Sequence, residues 1–164
     1  MGPLMTHSGI VLTARSLDEV FDRLATPERF APLLPGFESM AMQDPTHFSL
    51  RTAIMLAQIH GHANLAMELQ DALRPHLVAY RGEGIVAGSQ LKLGLQFSVA
   101  AVDGMTEVSW RGEFSLDGML AFMAAGLIEP MGREHFDIMA EHLRESLHVV
   151  EAAAEPPGQS ETGA

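Results

Sequence analysis

Two pairs of histidines have a spacing that could bring imidazoles together for chemistry. His60 and His62 are separated by one residue, so on a β-strand both side chains project from the same face. Two such imidazoles can ligate a metal ion, although a third ligand would have to come from elsewhere. Both lie on the face opposite Leu65 and Met67, and we favour a solvated hairpin flank over a metal site.

The second pair, His135 and His142, is seven residues apart on a predicted C-terminal helix, close to two full turns. Both border the apolar stripe of that helix. A polar group in this position would orient the head of a ligand at the mouth of a cavity, because such pockets have few polar contacts. A solvated helix flank is the alternative interpretation.

The remaining inward positions offer little acid–base chemistry. Alternation places Tyr80, Trp110 and Thr52 inside, and no Ser-His-Asp set or pair of inward carboxylates is visible. The glycines of the stretch Gly82–Gly88 are interpreted as turn glycines and not as a nucleotide-binding loop, because no helix follows them. The sequence therefore predicts a protein that is not an enzyme, with a cyclase- or hydrolase-like enzyme as an alternative.

Composition narrows the class of protein further. The chain has 164 residues and is 47% hydrophobic, which is enough for one domain with a substantial core. Its net charge of −11 disfavours binding to nucleic acid or to anionic membranes. It has no cysteine, and its first residues lack a basic run followed by a long apolar run. We therefore expect a cytoplasmic protein without disulfides or thiolate metal sites.

The first third of the chain carries helix signals. Residues 8–14 are predicted as a short strand. Ser16 stands three residues before Glu19, an arrangement typical of a capping box at the start of a helix. Thr26 is predicted to cap a second short helix, with Pro27 at its first position.

From residue 37 to residue 116 the apolar residues recur with a period of two, which predicts about six more strands in an antiparallel meander. A long helix is predicted from Glu129 to Glu151, followed by a disordered tail over residues 152–164. Residues 1–151 then form a single domain. One helix cannot fill a curved sheet of this width, so an apolar cavity is expected between them.

The stretch DGMLAFMAAGLI, residues 117–128, joins the last strand to this helix. It is too short to span a bilayer, which takes about 20 residues. Met119, Phe122 and Met123 recur at helical spacing, and Pro130 predicts a bend before the long helix. Our hypothesis is that this segment is a gate over the cavity, with an apolar side that admits the ligand or docks a partner.

Four segments resemble those of a known family: Pro35–Met40 (PGFESM), Ile59–Gly61 (IHG), Arg81–Gly84 (RGEG) and residues 117–128. In this order and spacing the chain resembles the G-subunit family of carbon monoxide dehydrogenase, within the helix-grip (SRPBCC, START and birch-allergen-like) superfamily. The resemblance covers nearly the whole of the chain expected to fold.

The resemblance implies an α+β helix-grip fold, in which a curved antiparallel sheet of about seven strands wraps round a long C-terminal helix and two short helices follow the first strand. It also implies an accessory or recruitment role beside a molybdenum hydroxylase of carbon monoxide dehydrogenase type, with an apolar small molecule such as a lipid or a quinone as cargo. The alternative is a protein–protein interaction module without a ligand. We expect a monomer or weak homodimer without a cofactor of its own, and at most peripheral membrane contact.

Within this fold, the inward positions predict which residues line the cavity. Apart from His135 and His142 at its mouth, the expected lining residues are Phe30, Leu34, Leu50, Ile54, Leu65, Met67, Tyr80, Leu93, Leu95, Trp110, Met119, Phe122, Met123, Phe136, Met139 and Leu143.

Overall fold

A seven-stranded antiparallel sheet packs against a long C-terminal helix in the computed structural model, which describes residues 4–56, 59–123 and 126–148, without the side chains of residues 55, 56, 59 and 123. The strands are β1 (Met5–Thr13), β2 (Phe37–Met42), β3 (His47–Leu56), β4 (Ile59–Leu73), β5 (Leu77–Val86), β6 (Ser89–Val102) and β7 (Met105–Leu116). The helices are α1 (Leu17–Ala25), α2 (Pro27–Phe30), which runs into a single 3-10 turn (Ala31–Leu33), α3 (Met119–Met123) and α4 (Ile128–Leu147).

The strand order is β1-β7-β6-β5-β4-β3-β2, so the first strand pairs with the last one and β2 forms the opposite edge. From β2 to β7 each strand pairs with the next strand along the chain, as expected for a meander. Helices α1 and α2 connect β1 to the far edge of the sheet. The predicted α+β helix-grip fold is confirmed.

The hairpins at the two ends of β6 have two-residue loops, and the backbone twist of such loops matches the twist of the strands. Ala87 and Gly88 have φ angles of 50° and 81°, and Asp103 and Gly104 have φ angles of 51° and 78°. Positive φ at both positions is typical of a type I′ turn. Glycine adopts this conformation without steric strain, whereas alanine at position 87 does so less readily.

The prediction that Gly82 and Gly84 belong to a turn is wrong. Both lie inside β5, which continues to Val86. A Cβ atom on Gly82 would lie 2.1 Å from the sulfur of Met67, and one on Gly84 would lie 2.1 Å from the backbone oxygen of Asn64. Glycine is therefore needed here for close packing against β4, and not for a turn.

The two helix starts predicted from the sequence have different outcomes. Ser16 caps α1 as predicted, because its Oγ accepts a hydrogen bond from the backbone N–H of Glu19 at 3.2 Å. Thr26 does not cap α2: its hydroxyl donates instead to the backbone oxygen of Asp22, at 2.6 Å. Pro27 is at the first position of α2, as predicted.

The apolar stretch before α4 is a helix of its own. Gly118 and Gly126 have φ angles of 91° and 92°, so the backbone turns sharply on both sides of α3. Pro130, which was expected to bend the approach to the long helix, lies inside the first turn of α4, where its missing N–H has no helical partner to lose. The predicted helical residues 149–151 and the tail 152–164 lie outside the described residues, and the single-domain boundary remains a prediction.

Candidate ligand-binding cavity

A cavity of about 120 Å³ lies between the inner face of the sheet and the first half of α4. Nearly all of its wall is apolar, and Thr52 and His135 supply the polar side chains. Every strand from β3 to β7 contributes to the wall, as do α3, α4 and the segment before β2. The lining residues are Leu34, Pro35, Thr52, Ile54, Leu65, Val86, Leu91, Leu93, Phe114, Leu116, Leu120, Met131, Gly132, His135, Phe136 and Met139.

Helix α4 contributes to this wall through side chains at helical spacing. Met131, His135 and Met139 are four residues apart and therefore share one face of the helix. Gly132 lies beside them, where a Cβ atom would be 2.1 Å from the ring of Phe114. This glycine allows the helix to approach β7 closely.

Toward the C-terminal end of α4, beyond Met139, the interior is filled. The ring of Phe30, from α2, stacks on Tyr80 with a centroid distance of 3.7 Å, and the rings of Phe48 and Phe97 meet this pair edge-on. The Tyr80 hydroxyl donates a hydrogen bond of 2.6 Å to the backbone oxygen of Leu24. Burial raises the pKa of Tyr80 well above its ordinary value. We call this the filled half of the interior, and the other the cavity half.

An aromatic cluster adjoins the cavity at Phe136. Its ring lies 6.1 Å from those of Trp110 and Phe114 and 5.7 Å from the imidazole of His7. A Cβ atom on Gly112 would lie 2.2 Å from the Phe136 ring, so this glycine makes room for it. The ring of Phe136 thus forms part of the cavity wall and of the packed core beside it.

His7 is an inward residue that the sequence reasoning missed. Its Nε2 atom is buried and has no hydrogen-bond partner within the part of the chain that the structure describes. The predicted strand began one residue later, at Ser8. The alternation that makes Val11 and Thr13 buried extends back to His7, and this signal would have found it.

Most of the predicted lining residues fall into two groups, those that line the cavity and those that are buried elsewhere in the core. Six of them line the cavity: Leu34, Ile54, Leu65, Leu93, Phe136 and Met139. A second group is buried but packs away from it: Phe30, Leu50, Met67, Tyr80, Leu95, Trp110 and Leu143. These side chains do face inward, but neighbouring side chains fill the space around them. The side chain of Met123 lies outside the described residues.

For Met119 and Phe122 the expectation of a place in the cavity wall is wrong, because their side chains are 67% and 82% exposed. Helical spacing does place the two on one face of α3, but that face points to solvent. Leu120, on the opposite face, is 3% exposed and forms part of the cavity wall. Its backbone N–H donates to the hydroxyl of Ser89 at 2.8 Å, which fixes this orientation.

The two histidines of α4 have different surroundings. His135 lines the cavity, and its Nδ1 donates to the backbone oxygen of Met131 at 2.8 Å. His142 is not part of the cavity wall. Its Nδ1 donates to the backbone oxygen of Leu33 at 2.9 Å, which ties α4 to the 3-10 turn. Only His135 is placed to contact a ligand in the cavity.

His60 and His62 are exposed on the outer face of the sheet. The imidazole of His62 pairs with Glu38 at 3.1 Å. Among the described residues, no three histidines or carboxylates gather in a way that would hold a metal ion. The described helices also include none with both the length and the apolar character needed to cross a membrane.

The model of one protein family, that of the carbon monoxide dehydrogenase G subunit (CoxG), matches residues 9–148. The chain belongs to this family. The match covers the whole sheet except the first residues of β1, together with all of α4. Comparison with curated proteins gives no match.

Solved structures of other proteins share the fold of this CoxG family member. A conserved protein from Geobacillus kaustophilus has a TM-score of 0.74 at 12% identity, over 88% of this chain and 95% of that one. An aromatase/cyclase from Streptomyces sp. R1128 has a TM-score of 0.63 at 17% identity, over 92% and 98%. A START superfamily protein from Mycobacterium smegmatis has a TM-score of 0.63 at 10% identity, over 87% and 97%.

Proposed function

We propose that this protein binds an apolar small molecule, lipid- or quinone-like, in the cavity half, and that it does so as a non-catalytic accessory protein of a molybdenum hydroxylase of carbon monoxide dehydrogenase type. The observation that carries the proposal is the apolar cavity under the first half of α4. The CoxG match supports the accessory role and the type of partner enzyme.

The size of the cavity limits the part of a ligand that it can hold. At about 120 Å³ it is slightly smaller than an engineered apolar cavity of about 150 Å³ that binds benzene. Cavities that enclose drug-sized ligands have volumes of roughly 300–1,000 Å³. We therefore expect one ring, or a short branched group, to occupy the cavity, while the rest of a longer ligand extends beyond it.

Two alternatives remain, each with an observation in its favour. The exposed side chains of Met119, Phe122 and Leu127 lie in and just after α3 and support a module that docks a protein partner. The fold shared with an aromatase/cyclase supports an enzyme. Against catalysis, the Tyr80 hydroxyl is engaged with a backbone oxygen in the filled half, away from the cavity.

We further propose a cytoplasmic protein that is monomeric or weakly dimeric and makes at most peripheral contact with membranes. Its net charge of −11 supports the limited contact with membranes, because anionic lipid surfaces repel a strongly acidic protein. The same charge favours an electropositive docking surface on the partner enzyme.

Native mass spectrometry after gentle purification tests the ligand proposal. The wild-type protein is expected to carry an apolar adduct that is lost from Val86→Phe, because Val86 lines the cavity and the larger ring occupies its space. Ile85→Phe is the matched control: Ile85 is the preceding residue of β5, is 58% exposed, and faces the other way. Retention of the adduct in Val86→Phe would place the ligand elsewhere, and a wild-type protein without any adduct would favour the docking module.

A further inference from the structure

One buried hydroxyl differs from the other buried polar side chains of the protein. Thr13, Ser89 and Thr106 are each at least 97% buried, and each hydroxyl makes a hydrogen bond of 2.7 to 3.0 Å to a backbone atom. Thr52 is nearly as enclosed, with 4% of its surface exposed, yet no hydrogen bond joins its hydroxyl to another residue that the structure describes. Thr52 is also the one of the four that lines the cavity.

The hydroxyl oxygen of Thr52 is not among the fully enclosed side-chain atoms that lack a partner, which in the described part of the chain are His7 Nε2 and Arg23 Nε. Thr52 borders the cavity, whose wall is almost entirely apolar, and a hydroxyl there gives up hydrogen bonds to bulk water without gaining one from the protein. Valine has the same shape and would occupy this position in β3 without that penalty. The hydroxyl of Thr52 is therefore better explained by a polar atom of a molecule in the cavity than by the packing of the protein alone.

His135, on α4, is the second polar side chain in the cavity wall. Its Nδ1 donates to the backbone oxygen of Met131, so Nδ1 must carry a proton. In the neutral imidazole this leaves Nε2 with a lone pair, which can accept a hydrogen bond. The cavity thus has a hydroxyl that can donate on β3 and a ring nitrogen that can accept on α4.

Building on the proposed function, we propose that Thr52 and His135 select a ring-sized group that carries a hydroxyl. A hydroxyl can accept a hydrogen bond from Thr52 and donate one to Nε2 of His135. A group that only accepts would satisfy Thr52 alone, and a hydrocarbon would satisfy neither. A carboxylate would bring a charge into a cavity whose wall is almost entirely apolar, which is strongly unfavourable.

The test measures binding of three ring compounds to the purified protein by titration calorimetry. Phenol can donate and accept, benzonitrile can only accept, and toluene can do neither. Thr52→Val removes the hydroxyl and keeps the shape, while Thr52→Ser keeps the hydroxyl. His135→Asn keeps a donor at the position of Nδ1 and removes Nε2, while His135→Gln keeps a polar group near the position of Nε2.

We expect Thr52→Val to weaken the binding of phenol and benzonitrile by about 5- to 10-fold, the effect of one hydrogen bond, and to leave toluene within about twofold of wild type. His135→Asn should weaken phenol by a similar factor and spare both benzonitrile and toluene. Thr52→Ser and His135→Gln should recover most of the loss. Toluene binding by the same samples shows that each variant retains a folded cavity.

Two results would overturn the inference, and they are distinguishable. If wild-type protein binds toluene and phenol but neither variant changes the ratio of the two affinities, the selection for a hydroxyl is wrong and the cavity remains a binding site. If wild-type protein binds none of the three compounds, the proposed function fails as well.

Discussion

The two halves of α4 cover the same sheet but lie over different interiors. Under the second half, Phe30 from α2 stacks on Tyr80 and fills the space between the layers. Under the first half, α3 contributes Leu120 to the wall, and a cavity of about 120 Å³ remains. The comparison shows that this fold leaves a cavity where the connecting segments insert no aromatic side chain.

The two halves also differ in how α4 is held. At the C-terminal end, Thr13 and Arg15 donate hydrogen bonds to the backbone oxygen of Leu147, at 3.0 and 3.1 Å, and Arg23 donates to that of Ser146 at 3.1 Å. These bonds satisfy carbonyl groups that a helix end leaves unpaired. The filled half is therefore an anchored region, and we expect adjustments to a ligand to occur at the other end of the helix.

The largest expected effect tests whether the filled half is the more tightly packed. Leu24→Ala should lower the free energy of unfolding by about 3–5 kcal/mol, because the side chain is 1% exposed and enclosed on all sides. Leu93→Ala should cost only about 2 kcal/mol, since atoms that face a void have fewer contacts to lose. Urea unfolding of both variants gives the two values, and equal losses would contradict the distinction.

Tyr80 is the single tyrosine of the chain, so its ionisation can be followed directly by ultraviolet absorbance. Its pKa is raised by burial in the filled half, and the folded state therefore keeps the proton at a pH where the unfolded state loses it. The free energy of unfolding is not affected by this ionisation below about pH 10. It falls as the pH rises further, by about 2–3 kcal/mol at pH 12. Tyrosinate absorbance near pH 10 in the folded protein would contradict this.

Loss of the hydroxyl from three buried threonines should also have different effects on stability. Thr13→Val and Thr106→Val should each lower the free energy of unfolding by about 1–2 kcal/mol, because each removes a hydrogen bond from an enclosed hydroxyl to a backbone carbonyl group. Thr52→Val should be neutral or slightly stabilising, since no hydrogen bond joins its hydroxyl to another described residue. Thermal unfolding of the three variants measures the difference, and a loss for Thr52→Val as large as the others would show a structural role.

Adding one methyl group at either end of β5 should change the stability of the protein in opposite directions. Val78→Ile, at a position with no exposed surface, is expected to cost about 1 kcal/mol through overpacking. Val86→Ile adds the same group toward the cavity and should stabilise by up to about 0.8 kcal/mol, the value of one buried methylene. Chemical denaturation distinguishes them, and destabilisation by both would mean that the cavity half is also full.

The smallest expected effect concerns the hairpins at the two ends of β6. The turn beside the cavity has Ala87 at a φ of 50°, whereas the turn at the other end has Asp103, a residue that tolerates this conformation. Ala87→Asn should therefore stabilise the protein by a few tenths of a kcal/mol. Asp103→Ala should destabilise it by a similar amount, and thermal unfolding that moves both in the same direction would contradict the argument.

Much of the fold could be predicted because its signals involve residues close together in the chain. The alternation along β3 to β7 and the Ser16 cap depend on neighbours within a few positions. The same reasoning failed for Thr26, whose hydroxyl had a second partner one turn back in α1. It also failed for Gly82, where the requirement came from Met67 on the adjacent strand.

The candidate site was predicted less completely. Alternation shows that Leu65, Tyr80 and Leu93 face inward, and all three do. It does not show that Tyr80 meets an aromatic ring from α2 while the other two border a void. Whether a given inward residue touches a ligand depends on side chains distant in the chain.

Local pattern along this chain thus establishes the number of strands, the final helix and an apolar interior. Tertiary packing decides where that interior is left empty and that Thr52 is the buried threonine that borders it. The physical reason is that a cavity is the small difference between the space enclosed by two layers and the summed volume of side chains from several elements. The sequence of a single segment therefore does not determine the cavity volume.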